Sequence, residues 1–382
     1  MVSIQTAPSL RQKLEILAAD AQYDLSCACG SLPEDRRRRG LDDRWLYPVT
    51  LQSGGRGLMF KTLVSNGCSN DCKYCPLRAG VDRVRRCALS PEETVRAFMP
   101  YWNSGHLLGI FLTSAVGASP DAAMEQLIAT AEILRFREHF RGVLHLKLIP
   151  GASDAAMDRA LSLASAISLN IETAGATHFA KLSKRKDYMQ SIIAPLKRMA
   201  ALTEPGMPRG RVKLSTQFVV GASDESDREI LRYMDGLYSR LHLHRVYFSA
   251  YQRGLGDPSL PGETRQVPNG DLLRREHRLY QTDFLLRKYG FSASELGVDA
   301  AGNLPLDIDP KEAWARAHPE RFPVRLHTAT RHDLLRVPGL GPLSVRRILA
   351  ARKGGARVPA DLERLGLRRD LARKARPWLV AD

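Results

Sequence analysis

The 382-residue sequence is 44% hydrophobic and 26% charged, which supports a buried core and excludes a disordered or fibrous chain. No stretch is apolar enough to cross a bilayer and no signal peptide precedes the first helical pattern, so a cytoplasmic protein without a membrane partner is expected. The net charge is +16, and residues 328–382 hold 13 Lys or Arg against 5 Asp or Glu, so half of the excess lies in a segment suited to a polyanion such as nucleic acid.

In chain order, residues 1–50 read as an N-terminal extension. It opens on an amphipathic run at 10–21 and continues through Cys27, Cys29 and a basic block at 36–39 without periodicity. Gly54-Gly-Arg-Gly57 is a turn rather than a phosphate loop, because no Gly-Lys-Ser/Thr follows at the required spacing. From 51 to 290, β-like runs at 58–64, 109–115, 143–149, 167–173, 214–220 and 245–251 alternate with helical patterns at 91–102, 121–139, 154–164, 227–241 and 271–289. Such alternation implies parallel βαβ units, and six of them predict an α/β fold with a partial (β/α)6, TIM-like barrel.

Outer faces of barrel strands lie under helices and are apolar, so the polar parity faces the lumen. Ser168, Asn170 and Glu172 share one parity, as do His145 and Lys147, and Tyr247, Ser249 and Tyr251. A lumen lined this way suits a polar ligand at the carboxyl ends of the strands. Residues 291–327 read as a linker with turns at Gly302, Pro305, Pro310, Pro319 and Pro323, and 328–382 as a small all-α domain.

Directly after the first strand, Cys68, Cys72 and Cys75 form C-x3-C-x2-C. Three thiolates of one loop can ligate three irons of a [4Fe-4S] cluster and leave the fourth open. Zinc would want a fourth Cys or His nearby, and no histidine precedes His106. A zinc knuckle or three ordinary thiols remain the alternatives. Cys27, Cys29 and Cys87 are too few for a second four-cysteine cluster and read as free thiols.

The spacing, Tyr74 before the last cysteine, and the placement after strand one resemble the radical S-adenosylmethionine (SAM) superfamily. The resemblance implies SAM on the open iron, with Tyr74 beside it. The second strand ends in Thr113-Ser114 where the superfamily carries an acidic motif for the SAM amino group, so these two stand in for it. Glu172 matches a polar ribose contact, and Gly221 falls in a segment like the glycine motif bordering adenine. Each of these residues also fits ordinary barrel lining.

In the tail, Leu334-Leu-Arg-Val-Pro-Gly-Leu-Gly-Pro-Leu-Ser-Val-Arg-Arg-Ile348 resembles a helix-hairpin-helix motif. Gly339 and Gly341 shape the hairpin, Pro342 begins the second helix, and Arg346 and Arg347 stand one turn on, near a site for a phosphate oxygen. A degenerate second copy has its hairpin near Gly366. A protein-docking helical pair is the alternative. The chain as a whole resembles the DNA modification or repair radical SAM proteins, encoded beside a uracil-DNA-glycosylase-like protein. That resemblance implies DNA as substrate, an external electron donor such as flavodoxin or ferredoxin, and the glycosylase-like protein as a partner. RNA, a protein or a small molecule are the alternative substrates, with the tail as a tether.

Overall fold

The computed structural model describes residues 8–22, 45–50, 55–265, 267–353 and 361–380. Cys27, Cys29, the 36–39 block, Gly54 and the Gly354-Gly355 connection lie outside the described residues. Two compact units emerge, the first from residues up to Glu225 together with Ser239–Leu273, the second from Ser226–Tyr238 and from Arg274 onward.

In the first unit, helix α1 (Leu10–Ala21) is followed by strands β1 (Leu46–Thr50) and β2 (Arg56–Leu63), helix α2 (Pro91–Asn103), strand β3 (Leu107–Thr113) and helix α3 (Pro120–Glu132). Next come β4 (Val143–Lys147), α4 (Asp154–Leu163), β5 (Ala166–Ser168), α5 (Ala176–Leu182), α6 (Ala194–Leu202) and β6 (Lys213–Val220). Strand β7 (Arg245–Ala250) and helix α8 (Pro261–Thr264) complete the first unit, while helix α7 (Asp227–Ser239) and most of helix α9 (Asn269–Tyr289), which continue the alternation along the chain, belong to the second. The sheet order is β1 through β7 in sequence. Strands β2 to β7 pair in parallel and β1 pairs antiparallel with β2, so the fold is α/β, a partial (β/α)6 barrel with one added edge strand.

Local chemistry starts the helices where the pattern put them. Ser90 accepts from the Glu93 amide, the Glu93 side chain answers the Ser90 amide, and Pro91 opens α2; at α3 and α4 the Ser119 and Ser153 hydroxyls accept the Ala122 and Ala156 amides. Such caps are worth about 1 kcal/mol each. Beneath the helices, Phe60, Ile110, Leu112, Leu144, Leu146, Ile167, Phe218 and Phe248 are fully buried. The opposite parity runs inward: Lys61, Phe111 and His145 stand in one register row, the lysine 4.7 Å from the Phe111 ring centre, the histidine edge-on to that ring at 4.2 Å and hydrogen-bonded to Ser168 at 2.9 Å. Mid-strand, these side chains fill their own lumen.

Three expectations change in detail. The fourth predicted strand, 167–173, ends as a ladder at Ser168, because the Thr216 hydroxyl takes the Ile171 amide at 2.9 Å and donates to the Leu169 carbonyl at 2.7 Å; the chain rejoins β6 at Glu172. The helix expected over 121–139 loosens into a π-turn at Ile133–Arg137. A second π-turn, Met189–Ile193, precedes α6. Residues 291–327 hold helix α10 (Pro310–Ala317), capped by Asp309, with Trp314 buried.

The second unit continues with strand β8 (Val324–Arg325), helices α11 (Arg331–Arg336), α12 (Pro342–Lys353) and α13 (Arg369–Ala375), and strand β9 (Leu379–Val380), parallel to β8. Its core joins Val324, Leu334, Leu340, Ile348, Leu362 and Ala375, with Phe322 and Trp378 packed alongside. Among the described residues no helix is long and apolar enough to cross a membrane.

Candidate functional site

The cysteine loop leaves β2 at the carboxyl edge of the sheet and is held from three sides. From β3, Val64 N–H bonds the Thr113 carbonyl at 2.8 Å and Ser69 N–H the Val116 carbonyl at 2.7 Å. From the end of α5, the Leu182 carbonyl accepts the Lys73 amide at 2.8 Å, and Asp71 accepts Ser183 Oγ at 2.5 Å and the Lys184 amide at 2.9 Å. Burial works against the Asp71 carboxylate, yet these bonds hold it below its ordinary range. From the loop after β7, the Asp257 amide donates to the Lys73 carbonyl at 2.8 Å.

Cys68, Cys72 and Cys75 line one cavity of about 180 Å³ in the first unit. Tyr74, Thr113, Ser114 and Glu172 line it too, so four of the five predicted cofactor contacts meet the three thiols. Gly221 does not line it; its amide points 3.5 Å from the buried Glu225 carboxylate, while Val219 reaches the wall. Sequence reasoning passed over Lys186, Asp20, Gln217 and Gln252. Lys186 sits in Lys184-Arg-Lys-Asp187, which reads as a solvated charge run, and Asp20 comes from α1, outside the barrel.

Burial is the main force on the thiols. It pushes Cys75 up to about 12, with the nearby Cys72 adding to it, and raises Cys72 against the opposing pull of Lys186. A bound cation would displace the protons of these thiols. The three loop thiols line one cavity, and three sulfur donors from one loop fit three irons of an iron–sulfur cluster, whereas a structural zinc would want a fourth Cys or His.

Glu172 is the charged counterpart of the loop. Its backbone is left-handed, φ +66°, a conformation costing a non-glycine residue about 1–2 kcal/mol. Two ladder bonds hold it there, from its amide to Gln217 at 3.0 Å and from Val219 to its carbonyl at 2.7 Å. The Tyr74 hydroxyl donates to its carboxylate, and burial followed by that negative charge drives the phenol well above its usual range. Burial alone would depress Lys186, but the charges of Cys72 and Glu172 and a hydrogen bond to Cys72 keep it above the ordinary lysine value. Lys186 and Glu172 thus present opposite charges beside the thiols, an arrangement able to orient a zwitterion.

The tail residues lie in the second unit. Gly339 turns the hairpin at φ +84°, and a Cβ there would stand 2.5 Å from the Leu371 carbonyl and 3.0 Å from the Ala375 amide, so α13 packs directly on the glycine. Gly341 begins the first turn of α12, accepting from Val345 at 2.9 Å. Arg346 lines an open groove of about 770 Å³ with Arg331, Leu343, Leu349, Arg352 and Lys353. Arg347 is engaged elsewhere, donating to the Gly366 carbonyl at 2.5 Å and so tying the first hairpin to the second.

No protein-family model matches the sequence, and no curated protein matches it. Among solved structures, HydG, a maturase of the FeFe-hydrogenase, superposes at TM-score 0.43 and 14% identity over 71% of this chain and 62% of its own. The FeFe-hydrogenase maturase HydG from Carboxydothermus hydrogenoformans gives 0.44 and 13% over 83% of this chain and 75% of its own. The cobalamin-dependent S-adenosylmethionine radical enzyme OxsB gives 0.35 and 14% over 72% and 41%.

Proposed function

We propose that the chain is a radical SAM enzyme that modifies or repairs nucleic acid, DNA foremost. The observation carrying the first half is the placement of three thiols from one loop in a single cavity at the carboxyl edge of a partial parallel barrel, beside Glu172 and Lys186. Cys68, Cys72 and Cys75 would hold a [4Fe-4S] cluster, leaving one iron to SAM. Together these would supply a 5′-deoxyadenosyl radical, with methionine as the other product of breaking the sulfur–C5′ bond of SAM, once an external donor, flavodoxin or ferredoxin, provides one electron. The protein's own residues do the positioning. Glu172 accepts from a hydroxyl or ammonium, Lys186 neutralises a carboxylate, and Tyr74 fixes the carboxylate of Glu172 between them. Lys147, Asn170, Gln217 and Ser249 add to the polar surface of the cavity.

The second half rests on the basic groove of α12, which fits a phosphate backbone, with Arg346, Arg331 and Lys353 over an apolar floor of Leu343 and Leu349. Backbone grip supplies affinity without choosing a base, and a base must be unpaired or flipped out before the lumen can receive it. The test is to give the reconstituted enzyme deuterated DNA and look for deuterium in 5′-deoxyadenosine. Label from DNA supports the reading. Label from RNA, a protein or a small molecule, and never from DNA, would reassign the substrate and leave the groove a tether.

A further inference from the structure

The loop after β7, residues 252–259, lies as a strap on the cysteine loop, and one carboxylate holds it. Glu263, on the short helix α8, accepts the Gly254 amide at 2.8 Å on one oxygen and 3.0 Å on the other, the Gly256 amide at 3.3 Å, and the Tyr251 hydroxyl. A single charged acceptor thus gathers three donors from six residues of chain, the geometry in which hydrogen bonds are strongest.

Fastened in this way, the strap grips the cysteine loop on both sides of Tyr74. The Asp257 amide donates to the Lys73 carbonyl at 2.8 Å, and Lys73 Nζ donates to Ser259 Oγ at 2.8 Å. Arg78 bridges the two segments, donating to the Leu255 carbonyl at 3.1 Å and to the Cys75 carbonyl at 3.0 Å. At Gly256 there is no room for a side chain: a Cβ would fall 1.9 Å from the Tyr251 hydroxyl, 2.9 Å from the Leu260 side chain and 3.0 Å from the Lys73 carbonyl. Tyr251, Gln252 and Leu255 reach the cavity wall beside the thiols.

We infer that Glu263 is a positioning residue, whose carboxylate fastens the 252–259 strap across the cysteine loop and thereby fixes and shields the thiols. It touches neither thiol nor ligand and acts through Tyr251, Gly254 and Gly256. The inference rests on reading the three cysteines as cluster ligands, and its test has one arm that needs no cluster. In metal-free protein, Glu263→Ala should raise the alkylation rate of the loop thiols by a maleimide about tenfold or more, the loss of several charged hydrogen bonds being ample for that. In reconstituted protein, the same variant should bleach its iron–sulfur absorbance in air faster by a similar factor and alter the electron paramagnetic resonance line shape of the reduced cluster. Glu263→Gln, which keeps one acceptor oxygen, should fall between Glu263→Ala and wild type.

Leu161→Ala separates positioning from general loosening, since Leu161 is a buried residue of α4. It should lower stability and leave alkylation and bleaching at wild-type rates. Wild-type rates in Glu263→Ala, or equal acceleration in Leu161→Ala, overturn the inference. If Glu263→Ala does not fold, Gly256→Ala takes its place, because it keeps the carboxylate but drives its Cβ into the Tyr251 hydroxyl that the carboxylate holds and crowds the Lys73 carbonyl, and it is read by the same two rates. Failure of wild type to hold iron, with Glu263→Ala still exposing the thiols, would reject the cluster reading and keep the strap.

Discussion

Gly339→Ala is the sharpest stability test in the second unit. The residue sits at φ +84°, and its new Cβ would lie 2.5 Å from the Leu371 carbonyl oxygen and 3.0 Å from the Ala375 amide nitrogen. Placing a Cβ in the left-handed region costs about 1–2 kcal/mol, and pressing it into backbone that must move costs about 1–3 kcal/mol more. Alanine also restricts the unfolded chain, which offsets roughly 0.4–1 kcal/mol. The net expectation is a loss of about 2–4 kcal/mol, or 8–16 °C in the transition of the second unit at roughly 4 °C per kcal/mol. Gly341→Ala is the matched control, because its Cβ meets only the Tyr289 hydroxyl, at 3.1 Å, and its φ is not positive. It should cost less than about 1 kcal/mol. Scanning calorimetry of both variants decides the matter: a Gly339→Ala protein within about 0.5 kcal/mol of wild type, or one no worse than Gly341→Ala, would refute the packing of α13 on the hairpin.

Other outcomes follow from the same geometry. Glu172→Ala should keep its iron and sulfide yet cleave SAM at least about tenfold more slowly, since the residue orients and does not ligate; unchanged cleavage returns it to barrel lining. Arg346→Ala should weaken DNA binding and lower the slope of log affinity against log salt by about 1. Arg347→Ala should act mainly on stability, because its guanidinium serves the Gly366 carbonyl. Fluorescence anisotropy across a salt series separates the two. Lys311 is buried and donates to the Leu340 carbonyl at 2.5 Å, and burial pushes its ammonium down to about 7. Between pH 7 and the ordinary lysine range the unfolded chain holds a proton that the folded one has lost, so stability rises with pH there, by up to about 1.4 kcal/mol per pH unit. Lys311→Met should remove that rise in denaturation measured from pH 7 to 10, and an unchanged slope would place the titration elsewhere.

The barrel was legible because short β-like runs alternate with helical patterns along the chain, and in three strands a two-residue parity named Lys147, Asn170, Glu172 and Ser249, all of which reach the cavity. The cysteine loop was legible from spacing alone. What escaped depends on side chains that replace backbone or on contacts distant in sequence. The Thr216 hydroxyl cuts β5 short, and no periodicity encodes that. Strand β1 carries Pro48, which argues against a strand unless it lies at an edge, as it does here. Prolines and glycines through 291–327 mask a helix of only eight residues, whose one strong signal, Trp314, is buried in the second unit. That burial, with Val324 paired to Leu379 and Lys374 paired to Asp309, means that truncation at residue 328 would cut through a core, so point substitutions in the groove are the proper test of nucleic-acid binding.

The central claim is that the loop thiols hold a cluster that activates SAM. Anaerobic reconstitution with iron and sulfide, followed by dithionite and SAM, tests it directly. We expect about four iron and four sulfide per chain, an absorbance band that shifts on adding SAM, and 5′-deoxyadenosine by chromatography, all three lost when Cys68, Cys72 and Cys75 are replaced by alanine. Stoichiometric zinc without iron, or a fully loaded protein that leaves SAM intact, would contradict it.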